Sequence, residues 1–219
     1  MNMGEMYRAG RIGMVEIGRS LSDEEAEGRV PACPEWTIRE VYAHQAGVVA
    51  DALAGRLDGV ATDPWTARQV EERKDDTLGE ILDEWESIVE PFEAFLETGA
   101  APPQVIIDQW SHEQDLRGAL DRPGNRDDER AKFCVEALAG MRGESWQHAP
   151  IEVIGDSGTW RLGQGEPQIT LRGSDYDLAR ALLGRRSRAQ VEAMDWTGDP
   201  TPILDHLVVF AYSAEDQPA

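Results

Sequence analysis

Apolar residues recur every three to four positions along the N-terminal part of the chain, the spacing of one face of an α-helix. Met6, Ile12, Met14, Val15 and Ile17 predict an amphipathic helix over 3–20. A short turn begun by Ser22, with Glu25 completing a capping box, follows it. In V-P-A-C-P-E-W-T, Pro31 and Pro34 forbid a continuing helix and predict an extended segment. Thr37 then reads as an N-cap with Glu40 as its capping-box partner, and a helix is expected over about 38–57. Asp63-Pro64 opens a short helical piece. Thr77 and Glu80 cap the next helix, in which Leu78, Ile81, Leu82, Trp85, Ile88, Val89, Phe92 and Phe95 hold the period as far as Gly99. Pro102-Pro103 opens another, which stops near Arg122-Pro123-Gly124. Long amphipathic helices joined by loops of varied length predict a four-helix bundle.

Phe133, Val135, Leu138 and Met141 predict one more helix over 127–147. After Pro150 the period shortens. I-E-V-I-G, T-W-R-L-G and P-Q-I-T-L-R-G are alternating runs broken by glycine, as in an antiparallel meander. A helix is expected over 175–183, a strand over 190–196 and a last helix over 202–210. The expected fold class is therefore α+β, with a helical bundle over 1–145 and a small α+β domain over 146–219.

Composition narrows the partners. Forty-two acidic residues against 21 basic ones leave a net charge of −21, which disfavours nucleic acid and anionic membrane surfaces. No long apolar run or signal-like segment occurs, so a soluble, cytoplasmic protein is expected. Cys33 and Cys134 have no metal-type spacing and read as reduced structural thiols. G-x-S-x-G, H-E-x-x-H and C-x-x-C motifs are all missing, which removes the usual serine-hydrolase, zincin and thioredoxin readings. The G-x-G of R-L-G-Q-G-E-P lies between predicted strands and reads as a hairpin loop rather than a phosphate cradle.

The chemistry is concentrated in D-Q-W-S-H-E-Q-D-L-R, residues 108–117. Asp108 and His112 are four apart and leave one face of a helix a turn apart. Their neighbours Val105, Ile107, Trp110, Leu116 and Leu120 form an apolar stripe, and burying an unpaired carboxylate or imidazole in such a stripe is costly. A metal ion would resolve that cost, with His44 of the Thr37 helix as the third ligand. The plainer alternative is an ordinary exposed pair that supports its helix. Trp110, beside these residues, is a candidate pocket wall. The basic cluster L-L-G-R-R-S-R offers Arg185 and Arg186 either as carboxylate-binding residues or as cations closing a helix C-terminus. His148 and His206 read as lone histidines near element ends.

V-P-A-C-P-E-W-T-I-R-E-V-Y-A-H-Q-A-G, D-Q-W-S-H-E-Q-D-L-R-G-A-L and a tail with L-L-G-R and W-T-G-D-P together resemble the mycothiol-dependent maleylpyruvate isomerase family, within the wider DinB-like metal-binding bundles. The resemblance implies a DinB-like four-helix bundle followed by a small α/β domain similar to a sterol carrier protein. It implies a divalent metal, zinc before nickel or iron, held by His44, Asp108 and His112. Asp108 stands where the isomerases usually carry a glutamate. It further implies mycothiol or another low-molecular-weight thiol as co-substrate, and a small, electrophilic, anionic substrate met by Arg185 or Arg186. Isomerisation and S-transfer both suit such a site, in a monomer or a homodimer. The alternative is a non-catalytic metal-binding bundle with a stress or regulatory role.

Overall fold

The computed structural model describes residues 1–218. In chain order the first unit holds α1 (Met3–Arg19), α2 (Asp23–Ala26), β1 (Arg29–Val30), β2 (Cys33–Thr37), α3 (Ile38–Ala54), α4 (Asp63–Glu71), α5 (Leu78–Glu97) and α6 (Gln104–Ala119). The second holds α7 (Glu129–Ser145), β3 (Ile151–Ile154), β4 (Thr159–Leu162), β5 (Ile169–Arg172), α8 (Asp175–Leu183), α9 (Arg188–Glu192), β6 (Asp195–Thr197) and α10 (Leu204–Leu207). The chain divides into compact units at Met1–Arg122 and Pro123–Ala219. The predicted α+β class holds, with helices gathered in the first unit and a small sheet in the second.

In the first unit α1 packs on α5, α5 on α3, α3 on α6 and α6 on α1, which closes a four-helix ring. The capping boxes at Ser22, Thr37 and Thr77 all form, each with its glutamate three residues on. Each serves backbone N–H groups that the first turn of a helix cannot satisfy internally. Gly55 ends α3 in the left-handed conformation (φ 69°), a few residues short of the expected end. The two prolines shape a small hairpin rather than a plain extended run: β1 pairs antiparallel with β2, Val30 opposite Cys33.

α6 departs from the expected single stripe. Val105 and Leu120 are only half-buried, yet every residue from Gln109 to Leu116 is buried, polar ones included. These polar groups find partners inside: Gln109 donates to the Tyr7 carbonyl at 2.9 Å, and Arg117 pairs with Glu113 at 2.9 Å. The helix is buried on all sides at mid-length, with carboxylates and a histidine among its enclosed residues.

The second unit corrects several expectations. α7, expected in the bundle, packs on α8 and β4 instead, so the division falls near 122 and not 145. The sheet is not a meander, because its order is β4-β3-β5-β6 and β5 runs parallel to β3. β3 takes the interior place because Ile151 and Val153 are wholly buried, whereas Thr159 and Arg161 of β4 are exposed, as an edge strand tolerates. The G-x-G loop therefore crosses between strands that are not neighbours, with Gly163 and Gly165 at positive φ. The expected strand over 190–196 is displaced at its start by α9, which an S-x-x-Q capping box at Ser187 begins, and the extended segment is Asp195–Thr197. The last helix is a single turn, since the Val209 N–H turns away to the Leu182 carbonyl at 2.7 Å.

Candidate metal centre

His44 lies on α3 and is 3% exposed; Asp108 and His112 lie a turn apart on α6. His44 Nε2 sits 3.4 Å from Asp108 Oδ1, and His112 Nε2 sits 3.6 Å from the same oxygen. The ligand atoms of the three residues all lie within 4.8 Å of one another. A tetrahedral ion with ligands at about 2.0–2.2 Å would space them roughly 3.3–3.6 Å apart. The two imidazole nitrogens stand at such distances from the shared carboxylate oxygen, a donor set that suits a divalent ion such as zinc. The structure thus brings together the three residues that the sequence proposes, across 64 positions of chain.

Asp108 is the most accessible of the three, with 36% of its side chain exposed against 3% for His44 and 6% for His112. A small molecule would therefore approach from the carboxylate side. Burial pushes the Asp108 carboxyl up, but His44, then His112, then an amide hydrogen bond from Gln45 outweigh it and hold it well below the ordinary carboxylate range. Gln45 Nε2 donates to Asp108 Oδ2 at 2.8 Å, which turns Oδ1 toward the histidines.

The wall of the site is Trp36, not Trp110. The half-buried Trp36 ring lies 5.1 Å from the His44 ring and 5.8 Å from that of His112, centroid to centroid. Trp110 has no exposed surface and is two residues from each α6 ligand, on another side of the helix; it belongs to the core. Trp36 reaches the site because β2 runs directly into the Thr37 cap of α3. Its position just before a capping residue was the available sequence signal.

Further residues surround the histidines. Behind His44, Nδ1 meets Gln69 Oε1 at 2.8 Å, and Gln69 Nε2 donates to Asp51 at 2.8 Å. Asp51 is wholly buried and also meets Arg56 at 2.7 Å and Arg68 at 2.9 Å. Behind His112, Nδ1 lies 3.3 Å from Asp115, whose side chain has no exposure. The Cys33 thiol donates to Asp115 at 3.5 Å and lies 3.9 Å from His112 Nδ1. Cys33, His112 and Asp115 thus form a second metal-type group that shares His112 with the first. Asp115, three residues after His112, was legible from spacing; Gln69, on a separate helix, was not.

Arg185 and Arg186 lie in the second unit, just past the Gly184 stop of α8. Arg186 is buried: it donates to Asp177 at 3.1 Å and to the Pro218 carbonyl at 3.0 Å, with its guanidinium over Tyr176. Arg185 is half-buried, its N–H bonded to the Arg180 carbonyl at 2.8 Å. Their expected substrate-binding role rests on the resemblance and on the local positive charge of the sequence. His148 and His206 are not lone residues but stack on each other, 3.7 Å between ring centroids.

The sequence matches, over residues 7–119, the family model described as the mycothiol maleylpyruvate isomerase N-terminal domain. A crystal structure of a histidine-to-alanine mutant of mycothiol-dependent maleylpyruvate isomerase is similar with a TM-score of 0.58 at 10% identity, over 91% of this chain and 94% of that one. Another, of the mycothiol-dependent maleylpyruvate isomerase, gives 0.53 at 12% identity, over 84% of this chain and 88% of that one. At such identities the likeness is one of fold. No curated protein matches the sequence.

Proposed function

The chain belongs to the mycothiol maleylpyruvate isomerase family, and from that premise we propose that it is a metal-dependent enzyme using a low-molecular-weight thiol, mycothiol or a close analogue, as co-substrate. Its substrate would be a small electrophile, and its reaction an isomerisation or an S-transfer. The observation that carries this reading is the convergence of His44 Nε2, Asp108 Oδ1 and His112 Nε2 on one partly open space. Zinc is the first candidate for the ion, given two imidazoles and one carboxylate. When bound, such an ion supplies the Lewis acidity that strips the proton from a thiol at neutral pH.

The chain's own residues define what can happen around it. Three protein ligands leave a coordination position for a small molecule, as catalytic rather than structural zinc sites do. Gln45 holds Asp108 in orientation, and the carboxylate brings negative charge that a dipositive ion would offset. Trp36 covers the histidines and keeps bulk water from their faces. Cys134 is wholly buried and has no part in the scheme. Asp108 in place of glutamate is one methylene shorter and leaves more room at the open position.

The test is metal analysis of protein purified without a histidine tag, then calorimetry with mycothiol and turnover of a cis-unsaturated keto acid such as maleylpyruvate. Stoichiometric metal, with thiol binding only in the metal-loaded protein, is expected. Protein that takes up no zinc, or binds thiol equally well after chelation, refutes the reading. Metal and thiol binding without turnover of any electrophile would instead favour a binding protein.

A further inference from the structure

A histidine donates a metal-binding lone pair from only one ring nitrogen while the other carries the proton, and what lies behind the ring decides which is which. Behind His44 the choice is set from the far end of a chain of contacts. Asp51 meets Arg56 and Arg68, so its carboxylate is charged and can only accept. Gln69 must therefore turn its Nε2 toward Asp51, at 2.8 Å, which leaves Oε1 facing His44 Nδ1, also at 2.8 Å. An amide oxygen accepts only, so Nδ1 has to be the donor. Behind His112 the same logic is shorter. Asp115 has a side chain without exposure, accepts a hydrogen bond from the Cys33 thiol, and places that same oxygen 3.3 Å from Nδ1.

We infer that Gln69 and Asp115 are positioning residues that hold His44 and His112 as their Nδ1–H tautomers, so that both Nε2 lone pairs converge beside Asp108 Oδ1. This deepens the metal-centre reading and rests on it for its purpose. It also explains why polar side chains so far from the open face are buried: Asp51, Gln69 and Asp115 are all under 3% exposed. α4 is then more than a connector. It carries both Gln69 and the Arg68 that helps keep Asp51 charged.

The experiment uses the full chain labelled with 15N-histidine. Ring tautomers are read by NMR in metal-free protein above the titration of the rings, and zinc affinity is measured by chelator competition. Both rings are expected to be protonated at Nδ1 before any metal is added. Gln69→Leu and Asp115→Leu should release the tautomer of their own ring and weaken zinc binding roughly 10–100-fold. Asp115→Asn, whose amide oxygen still accepts, should keep the tautomer and recover most of that affinity. The wild-type spectra need no variant to fold: a proton on Nε2 of either ring overturns the inference. So do Leu variants that hold zinc as tightly as the wild type. Wild-type protein that binds no zinc would remove the metal-centre reading, while the tautomers would still decide this one.

Discussion

Gly47→Ala is the sharpest test of how the site is supported. Gly47 is on α3, one turn from His44, and faces Gln69 of α4. A Cβ there would stand 2.5 Å from Gln69 Cβ, 2.7 Å from its Cγ and 3.2 Å from Arg73 Nη1. Ordinary carbon contacts are about 3.5–4.0 Å, so Gln69 would have to retreat by roughly 1 Å, and with it the backbone that carries its Cβ. Overpacking of this kind costs about 1–3 kcal/mol. Replacing a mid-helix glycine by alanine returns about 1 kcal/mol. The expected net loss is roughly 0–2 kcal/mol, with a fall in Tm of up to about 10 °C for a unit of this size. The effect on the site should be the larger signal. A 1 Å retreat stretches the 2.8 Å contact between Gln69 and His44 beyond hydrogen-bond length, and zinc affinity should drop roughly 10–100-fold. Thermal denaturation and chelator competition measure both. Gly140→Ala is the control, since a Cβ at that exposed helical glycine meets nothing and should only stabilise. A Gly47→Ala protein with raised Tm and unchanged zinc affinity would refute the reasoning.

His112→Ala should abolish metal retention and leave far-UV circular dichroism near that of the wild type; unfolding of the whole bundle on chelation would point to a structural metal instead. In native protein a thiol reagent should label Cys33, which is half-buried, and spare Cys134, whose thiol burial pushes up; denaturant should expose both, and equal labelling rates would contradict the packing. Stability should decline in alkali. Burial pushes Tyr212 up to about 12 from an ordinary 10.0, so its contribution is complete below 10.0 and is lost as pH rises through about 12. Tyr7 and Tyr42 are raised in the same direction by burial, and tyrosinate absorbance should rise together with loss of structure rather than before it.

The features the sequence determined alone are those whose physics is local. Capping boxes act over three residues and helix faces over one turn, so Thr37, Thr77 and the long helices were legible where they stand. Asp108 and His112 share a helix, so their common direction was legible too, and His44, a histidine on the apolar side of its own helix, could be named as a candidate third ligand but not brought to them without the fold. What the tertiary structure decided depends on which elements meet. Trp36 replaced Trp110 as the wall because the hairpin folds over the ligands while Trp110 faces the core. Gln69 found His44 across 25 residues of chain and a separate helix, by way of a glycine whose missing Cβ no periodicity could interpret. The sheet order and the side taken by α7 follow from competition among apolar faces for burial, and an apolar face in a sequence does not say which other face will cover it.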